Sequence, residues 1–127
     1  MSCVSWVRLR FEGGSTKEVE QGIVIKLVAE FSLRPLDKAS NEITLPSRGT
    51  LLWHATRFRV SKASIALEVS SGGGVTRVIA SEESLGKWTR LAVPIALRGS
   101  VKITIYNGLN EPISGSVELG IYTAIRI

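Results

Sequence analysis

The sequence predicts an all-β protein: an antiparallel β-sandwich, jelly-roll-like, with eight or nine strands in a single domain over residues 1–127. Apolar and polar residues alternate along most of the chain, which is typical of strands with one face in a core. Turn signals separate these runs at roughly 8–14 residues, the spacing expected of a sandwich. No amphipathic helical pattern lies between the runs, which disfavours β-α-β units.

The first half of the chain contains the clearest strand. Residues 4–11 alternate and end at Gly13 and Gly14, and residues 23–33 place six apolar side chains on one face. A polar connector is predicted over 34–41, followed by a short strand at 42–45. These patterns predict two long strands, each with one buried face.

The second half repeats this pattern. Further strands are predicted at 51–60, 64–69, 75–80, 87–97, 101–106 and 113–127. Residues 81–86 form the only predicted helical turn, which Ser81 would cap and Gly86 would end. Pro94 cannot donate a hydrogen bond to a neighbouring strand, so the strand that contains it is predicted to lie at an edge or to be bulged.

Composition restricts the class of protein. An apolar fraction of 44% excludes a disordered chain. No apolar run approaches the roughly 18 residues of a transmembrane helix, and no signal-peptide pattern opens the chain, so we expect an intracellular location. With only one Cys and one Met, the chain is poor in heat-labile side chains, which is typical of thermophilic proteins.

Catalytic groups are scarce. The chain has one His, His54, one Cys, Cys3, and one Asp, Asp37. His54 lies in an apolar run, which predicts a packed ring with one nitrogen bonded to the backbone. Glu118, like Glu30, alternates with apolar neighbours and is predicted to face solvent. We therefore predict no enzyme activity, no catalytic residues, no metal site and no cofactor.

The predicted outer faces of several strands combine cations with aromatic rings. Alternation along the strands predicts that the following residues point away from the core: Arg8, Arg10, Arg57, Arg59, Arg90, Lys102, Arg126, Trp6, Trp53, Trp88, Tyr106 and Tyr122. With a formal net charge of +5, such a face suits an anionic or ring-containing partner. The candidate binding residues are Trp53, Arg57, Arg59, Trp88 and Arg90.

Residues 86–95 (GKWTRLAVPI), 99–105 (GSVKITI) and 106–117 (YNGLNEPISGSV) resemble the late strands of jelly-roll modules. Carbohydrate-binding modules use this arrangement, as do small coat and receptor-binding proteins of viruses. The resemblance implies the fold and carries over no ligand residue. The acidic calcium-binding positions common in carbohydrate modules are not evident.

Two main functions remain open, beside a disfavoured third, a hydrolase that uses a pair of carboxylates. The first is a structural or virion-associated protein that acts by binding or self-association, as a homo-oligomer joined through a sheet edge or an aromatic-rich face. The alternative is a nucleic-acid- or glycan-binding module that uses the basic aromatic face.

Overall fold

A computed structural model describes residues 4–123. Within this range lie nine strands, one short helix and one 3-10 turn at Glu82–Ser84. The strands and helix are β1 (Trp6–Gly13), α1 (Thr16–Glu20), β2 (Ile25–Leu33), β3 (Lys38–Thr44), β4 (Leu51–Arg59), β5 (Ile65–Ser71), β6 (Gly74–Ile79), β7 (Thr89–Leu97), β8 (Ser100–Asn107) and β9 (Ile113–Thr123). Cys3 and Arg126 lie outside the described residues.

The strands form two antiparallel sheets. One has the order β1-β2-β9-β4-β7 and the other the order β3-β8-β5-β6. The pairs β2–β9, β3–β8, β4–β7 and β5–β6 are nested within one another along the chain. This nesting is the signature of a jelly roll. The predicted all-β sandwich is confirmed, with β1 added to the edge beside β2.

The inner faces of both sheets form one apolar core. Leu27 and Phe31 of β2, Trp53 of β4 and Ile103 and Ile105 of β8 are all buried there. The alternation that predicted the strands therefore marks the side of each strand that faces the opposite sheet.

Two segments differ from the prediction. Residues 38–41, predicted as a connector, belong to β3. They form an edge strand with mostly exposed side chains, so the apolar alternation is weak; the Asn41 amide donates a hydrogen bond to the Val7 carbonyl of β1 at 3.0 Å. The unpredicted helix α1 begins with a capping box between Ser15 and Glu18, a signal present in the sequence.

Pro94 lies where it was predicted, in an irregular edge strand. β7 borders the five-stranded sheet. Ile95 pairs with Trp53 and Arg90 pairs with Ala55, so residues 91–94 face only His54 of β4. This irregularity in the pairing of β4 with β7 opens the sheet surface around His54. None of the helical segments in residues 4–123 has the length and apolarity to cross a membrane.

Candidate functional site

The structure places Trp53 away from any ligand surface. Its side chain is 0% exposed, and its indole N–H donates to the Ala55 carbonyl at 3.0 Å and to Thr56 Oγ1 at 3.2 Å. The β-bulge at His54 explains the error. It adds one residue to β4, so Trp53 faces the core while Arg57, of the same sequence parity, faces outward. Trp53 is removed from the candidate binding residues.

The other four candidates lie on the outer face of the five-stranded sheet, but not all of the cations and aromatic rings of the same parity share that face. The Arg57 guanidinium lies 4.5 Å from the centre of the Trp88 ring. The Arg59 side chain is 58% exposed, and Arg90 projects from β7 beside the bulge. Lys102 and Tyr106 lie on β8 in the opposite sheet. A single basic aromatic face is therefore wrong.

Carboxylates balance the cations at the centre of the outer face. Glu118 is 3% exposed, contrary to the prediction that it faces solvent. It lies 2.5 Å from Arg57 Nη2 and 3.5 Å from Lys26 Nζ. Glu18 of α1 lies 3.3 Å from each of the same two cations. We call Glu18, Lys26, Arg57 and Glu118 the charge cluster.

The charge cluster attaches α1 to the sheet. Desolvation raises the pKa of Glu18, but the Ser15 backbone N–H and the charges of Lys26 and Arg57 outweigh it, and the net pKa is lowered. Glu18 therefore stays ionised, and α1 is held against β2, β4 and β9. The turn that follows α1 is fixed by the same contacts.

A pocket lies beside this turn, over the β4–β7 bulge. Its volume is about 530 Å³. It is lined by Glu20, Gln21, Gly22, His54, Arg90, Leu91, Pro94 and Tyr122. We call it the His54 pocket. Of the predicted site residues, it contains only Arg90.

His54 forms the most unusual wall of this pocket. The residue is 8% exposed, and its ring meets the Tyr122 ring edge to face, with centroids 4.8 Å apart. The imidazole is hydrogen bonded to the Gly22 backbone, as the sequence predicted. Its Nε2 atom is buried and has no hydrogen-bond partner within residues 4–123. A buried polar atom in this state is destabilising unless a ligand or water satisfies it.

The protonation state of His54 follows from its surroundings. Burial lowers the pKa of His54, and the charge of Arg90 lowers it further, while the Gly22 hydrogen bond opposes both. The ring is therefore neutral at pH 7.

The remaining pocket side chains supply complementary groups. Arg90 is exposed, and its Nη2 reaches the Gln21 carbonyl only at 3.5 Å, so most of its N–H donors face solvent. Tyr122 is half-buried and offers a ring face. The pocket thus combines several accessible donors with an aromatic surface. Within residues 4–123, no group of three His, Cys, Asp or Glu side chains is placed to hold a metal ion.

Sequence reasoning missed Gln21 and Tyr122 as members of a site with His54. Tyr122 had the parity of the outer aromatic residues, but nothing in the sequence placed it beside β4. Gln21 follows the helix that the Ser15–Glu18 spacing signalled. The pocket depends on a bulge and a turn, which alternation does not reveal.

No known protein-family profile matches this chain, and no curated protein matches it in sequence. Among solved structures, it is similar to a ruminal GH26 endo-β-1,4-mannanase, with 12% identity and a TM-score of 0.40 over 74% of this chain. The chain spans 19% of that mannanase chain.

Two carbohydrate-binding modules are also similar. One is the C-terminal CBM6 of a marine laminarinase, LamC, from Zobellia galactanivorans, at 10% identity and a TM-score of 0.33 over 90% of both chains. The other is a CBM61 in complex with β-1,4-galactotriose, at 17% identity and a TM-score of 0.31, over 90% of this chain and 86% of that one. No particular family is shown for this chain.

Proposed function

We propose that this protein is a non-catalytic binding module whose His54 pocket takes a carbohydrate. The observation that carries the proposal is the pocket itself, a depression of about 530 Å³ in which the exposed Arg90 faces the half-buried Tyr122 ring. A sugar hydroxyl can accept a hydrogen bond from Arg90. The Tyr122 ring supports the proposal, since it can pack against the apolar C–H face of a sugar ring.

Charge favours a neutral sugar over a nucleic acid. Arg57 and Lys26 are each within ion-pair distance of two carboxylates of the charge cluster. The His54 pocket itself is lined by one cation, Arg90, and one carboxylate, Glu20. Nucleic-acid affinity depends on unmatched cations along a groove, and the centre of this sheet does not offer them.

We expect Arg90→Ala and Tyr122→Ala each to weaken carbohydrate binding by about tenfold or more, because a lost charged hydrogen bond or ring contact removes roughly 1.5 kcal/mol or more. Affinity electrophoresis against neutral glucans, mannans and galactans, followed by calorimetry on the best of them, measures this. Arg48→Ala is the matched control, since Arg48 is an exposed arginine outside the pocket. Equal binding by the two pocket variants and the control would disprove the assignment.

Binding should also depend on pH through His54. Burial and the charge of Arg90 lower the pKa of His54, so the pocket wall contains a neutral ring. Affinity is therefore full at pH 7 and falls as the pH drops through the lowered pKa, where protonation adds a second positive charge beside Arg90 and disturbs the pocket wall. Calorimetry between pH 7 and pH 4 measures the profile.

The control for this pH dependence is His54→Gln, which cannot titrate in that range. We expect its affinity to be lower than that of the native protein at pH 7 but nearly constant with pH. The same acid loss in this variant would show that the pH dependence does not come from His54.

Self-association and a virion role stay predictions. The edge strands of the two sheets are β1 and β7, and β3 and β6. Of these, β6 and β7 carry exposed aliphatic side chains at Val75, Ile79 and Val93, which favours them as the edges for a partner chain. Light scattering on the purified protein decides between a monomer and an oligomer.

A further inference from the structure

A second depression lies on the outer face of the same sheet, at the opposite end of β4 and β9 from the His54 pocket. Its volume is about 570 Å³. It is lined by Trp6, Glu30, Phe31, Ser32, Arg59, Ser114, Gly115 and Ser116. We propose that this depression, the Trp6 trough, is a second carbohydrate-binding site.

The strand register builds the trough from two parallel rows. In the first row Trp6 lies opposite Ser32, and Ser32 lies opposite Ser114. The hydroxyl of Ser114 donates to that of Ser32 at 3.1 Å. Three serines, including Ser116 of the second row, keep the floor low while lining it with hydroxyl groups that both donate and accept hydrogen bonds.

Trp6 supplies the aromatic wall. Its side chain is 41% exposed although it is one of the largest apolar groups in the chain. The guanidinium carbon of Arg8 lies 5.0 Å from its ring centre, and the pairing of β1 with β2 fixes its backbone. A rigid, exposed indole beside hydroxyl groups suits the alternating C–H and O–H surface of a sugar ring, and it loses little conformational entropy on binding.

The second row closes the trough with opposite charges. Ser116 lies opposite both Glu30 and Arg59. Arg10 is ion-paired to Glu30, while Arg59 is largely exposed and approaches Glu118 only at 3.7 Å. The row thus contains two arginines, Arg8 and Arg59, with Glu30 between them. The Glu30 carboxylate can accept hydrogen bonds from hydroxyl groups, which an ionised phosphate cannot donate, so the row favours a polyhydroxylated ligand.

The two sites lie at opposite ends of β9. Six residues separate Ser116 from Tyr122, or about 20 Å at roughly 3.4 Å per residue. A long polysaccharide chain can therefore contact both sites, whereas a trisaccharide occupies one at a time. Simultaneous contact raises the avidity for polymers above the affinity of either site. The trough stands on its own residues and does not require the His54 pocket to bind sugar.

Calorimetry with neutral trisaccharides of glucose, mannose and galactose tests the trough. For the native protein we expect two bound molecules per chain, or two affinities. Trp6→Ala should remove one of them, with at least a tenfold loss at that site, while Trp6→Phe retains it in part. Val75→Ala is the control, because Val75 is an exposed apolar residue on β6 in the opposite sheet, outside both sites.

The single variants separate the two assignments. If Tyr122→Ala removes one bound molecule and Trp6→Ala changes nothing, the trough is wrong and the His54 pocket stands. If Trp6→Ala abolishes all binding and Tyr122→Ala has no effect, the trough stands and the His54 pocket is wrong. Unchanged binding in both variants, or no binding of any of these sugars by the native protein, overturns both. Binding of single-stranded DNA that Trp6→Ala abolishes would overturn the carbohydrate assignment of the trough.

Discussion

Replacing Trp53 by Ala is expected to lower the free energy of unfolding by about 3–5 kcal/mol, the usual range for a large aromatic side chain lost from a core. Trp53 is 0% exposed and lies in the core formed by both sheets. The substitution leaves a cavity and deprives the Ala55 carbonyl and the Thr56 hydroxyl of their indole donor. Urea denaturation followed by circular dichroism measures the change.

Two further variants serve as comparisons for Trp53→Ala. Trp53→Phe keeps most of the ring and should be less destabilising, with the lost hydrogen bonds as the main remaining defect. Trp6→Ala removes an exposed tryptophan and should change the free energy of unfolding by no more than about 0.5 kcal/mol. If Trp53→Ala leaves stability unchanged but weakens sugar binding, Trp53 would be a ligand contact after all.

The fold could be predicted because alternation reports burial directly. Each strand of a sandwich has one face in the core, so Ile103 and Ile105 of β8 reveal their strand without knowledge of its neighbours. Alternation predicted only the second part of β3. Its position at an edge leaves most of its side chains exposed, and its pairing with β8 is a long-range contact that a local pattern does not contain.

The site could be predicted only in part, because parity is preserved only along a regular strand. The bulge at His54 reverses the facing of β4 between Trp53 and Arg57. Parity also does not say which sheet a strand joins, so Tyr106 was grouped with Tyr122 although their strands lie in different sheets. The position of His54 in an apolar run correctly predicted a packed ring, but it did not indicate which residues would contact that ring.

Glu118→Gln is the second substitution with a large expected effect, a loss of about 3 kcal/mol in the free energy of unfolding. Glu118 is buried and lies beside Lys26 and Arg57, whose side chains are also mostly buried. Removing its charge leaves Arg57 with Glu18 alone and Lys26 with Glu18 and the more distant Glu12, which is 3.7 Å away. An uncompensated buried charge typically destabilises a protein by about 3–5 kcal/mol. Urea denaturation at neutral pH measures the loss.

Glu111→Gln is the matched control, because Glu111 pairs with Lys62 at 2.5 Å with both side chains about half exposed. Solvent screens that pair, so its loss should change stability by about 1 kcal/mol or less. A similarly small effect of Glu118→Gln would mean that water reaches the charge cluster.

The double variant Glu118→Gln with Arg57→Leu shows whether Glu118 acts through its charge partners. Removing a cation together with the anion restores the charge balance of the cluster, so the double variant should be more stable than the sum of the two single losses implies. Because the charge cluster holds α1 and thereby the Gln21–Gly22 turn, Glu118→Gln should also weaken sugar binding at the His54 pocket while leaving the Trp6 trough intact. If the losses in the free energy of unfolding of the two single variants simply add, Arg57 and Glu118 act independently. In that case Glu18 alone would attach α1 to the sheet.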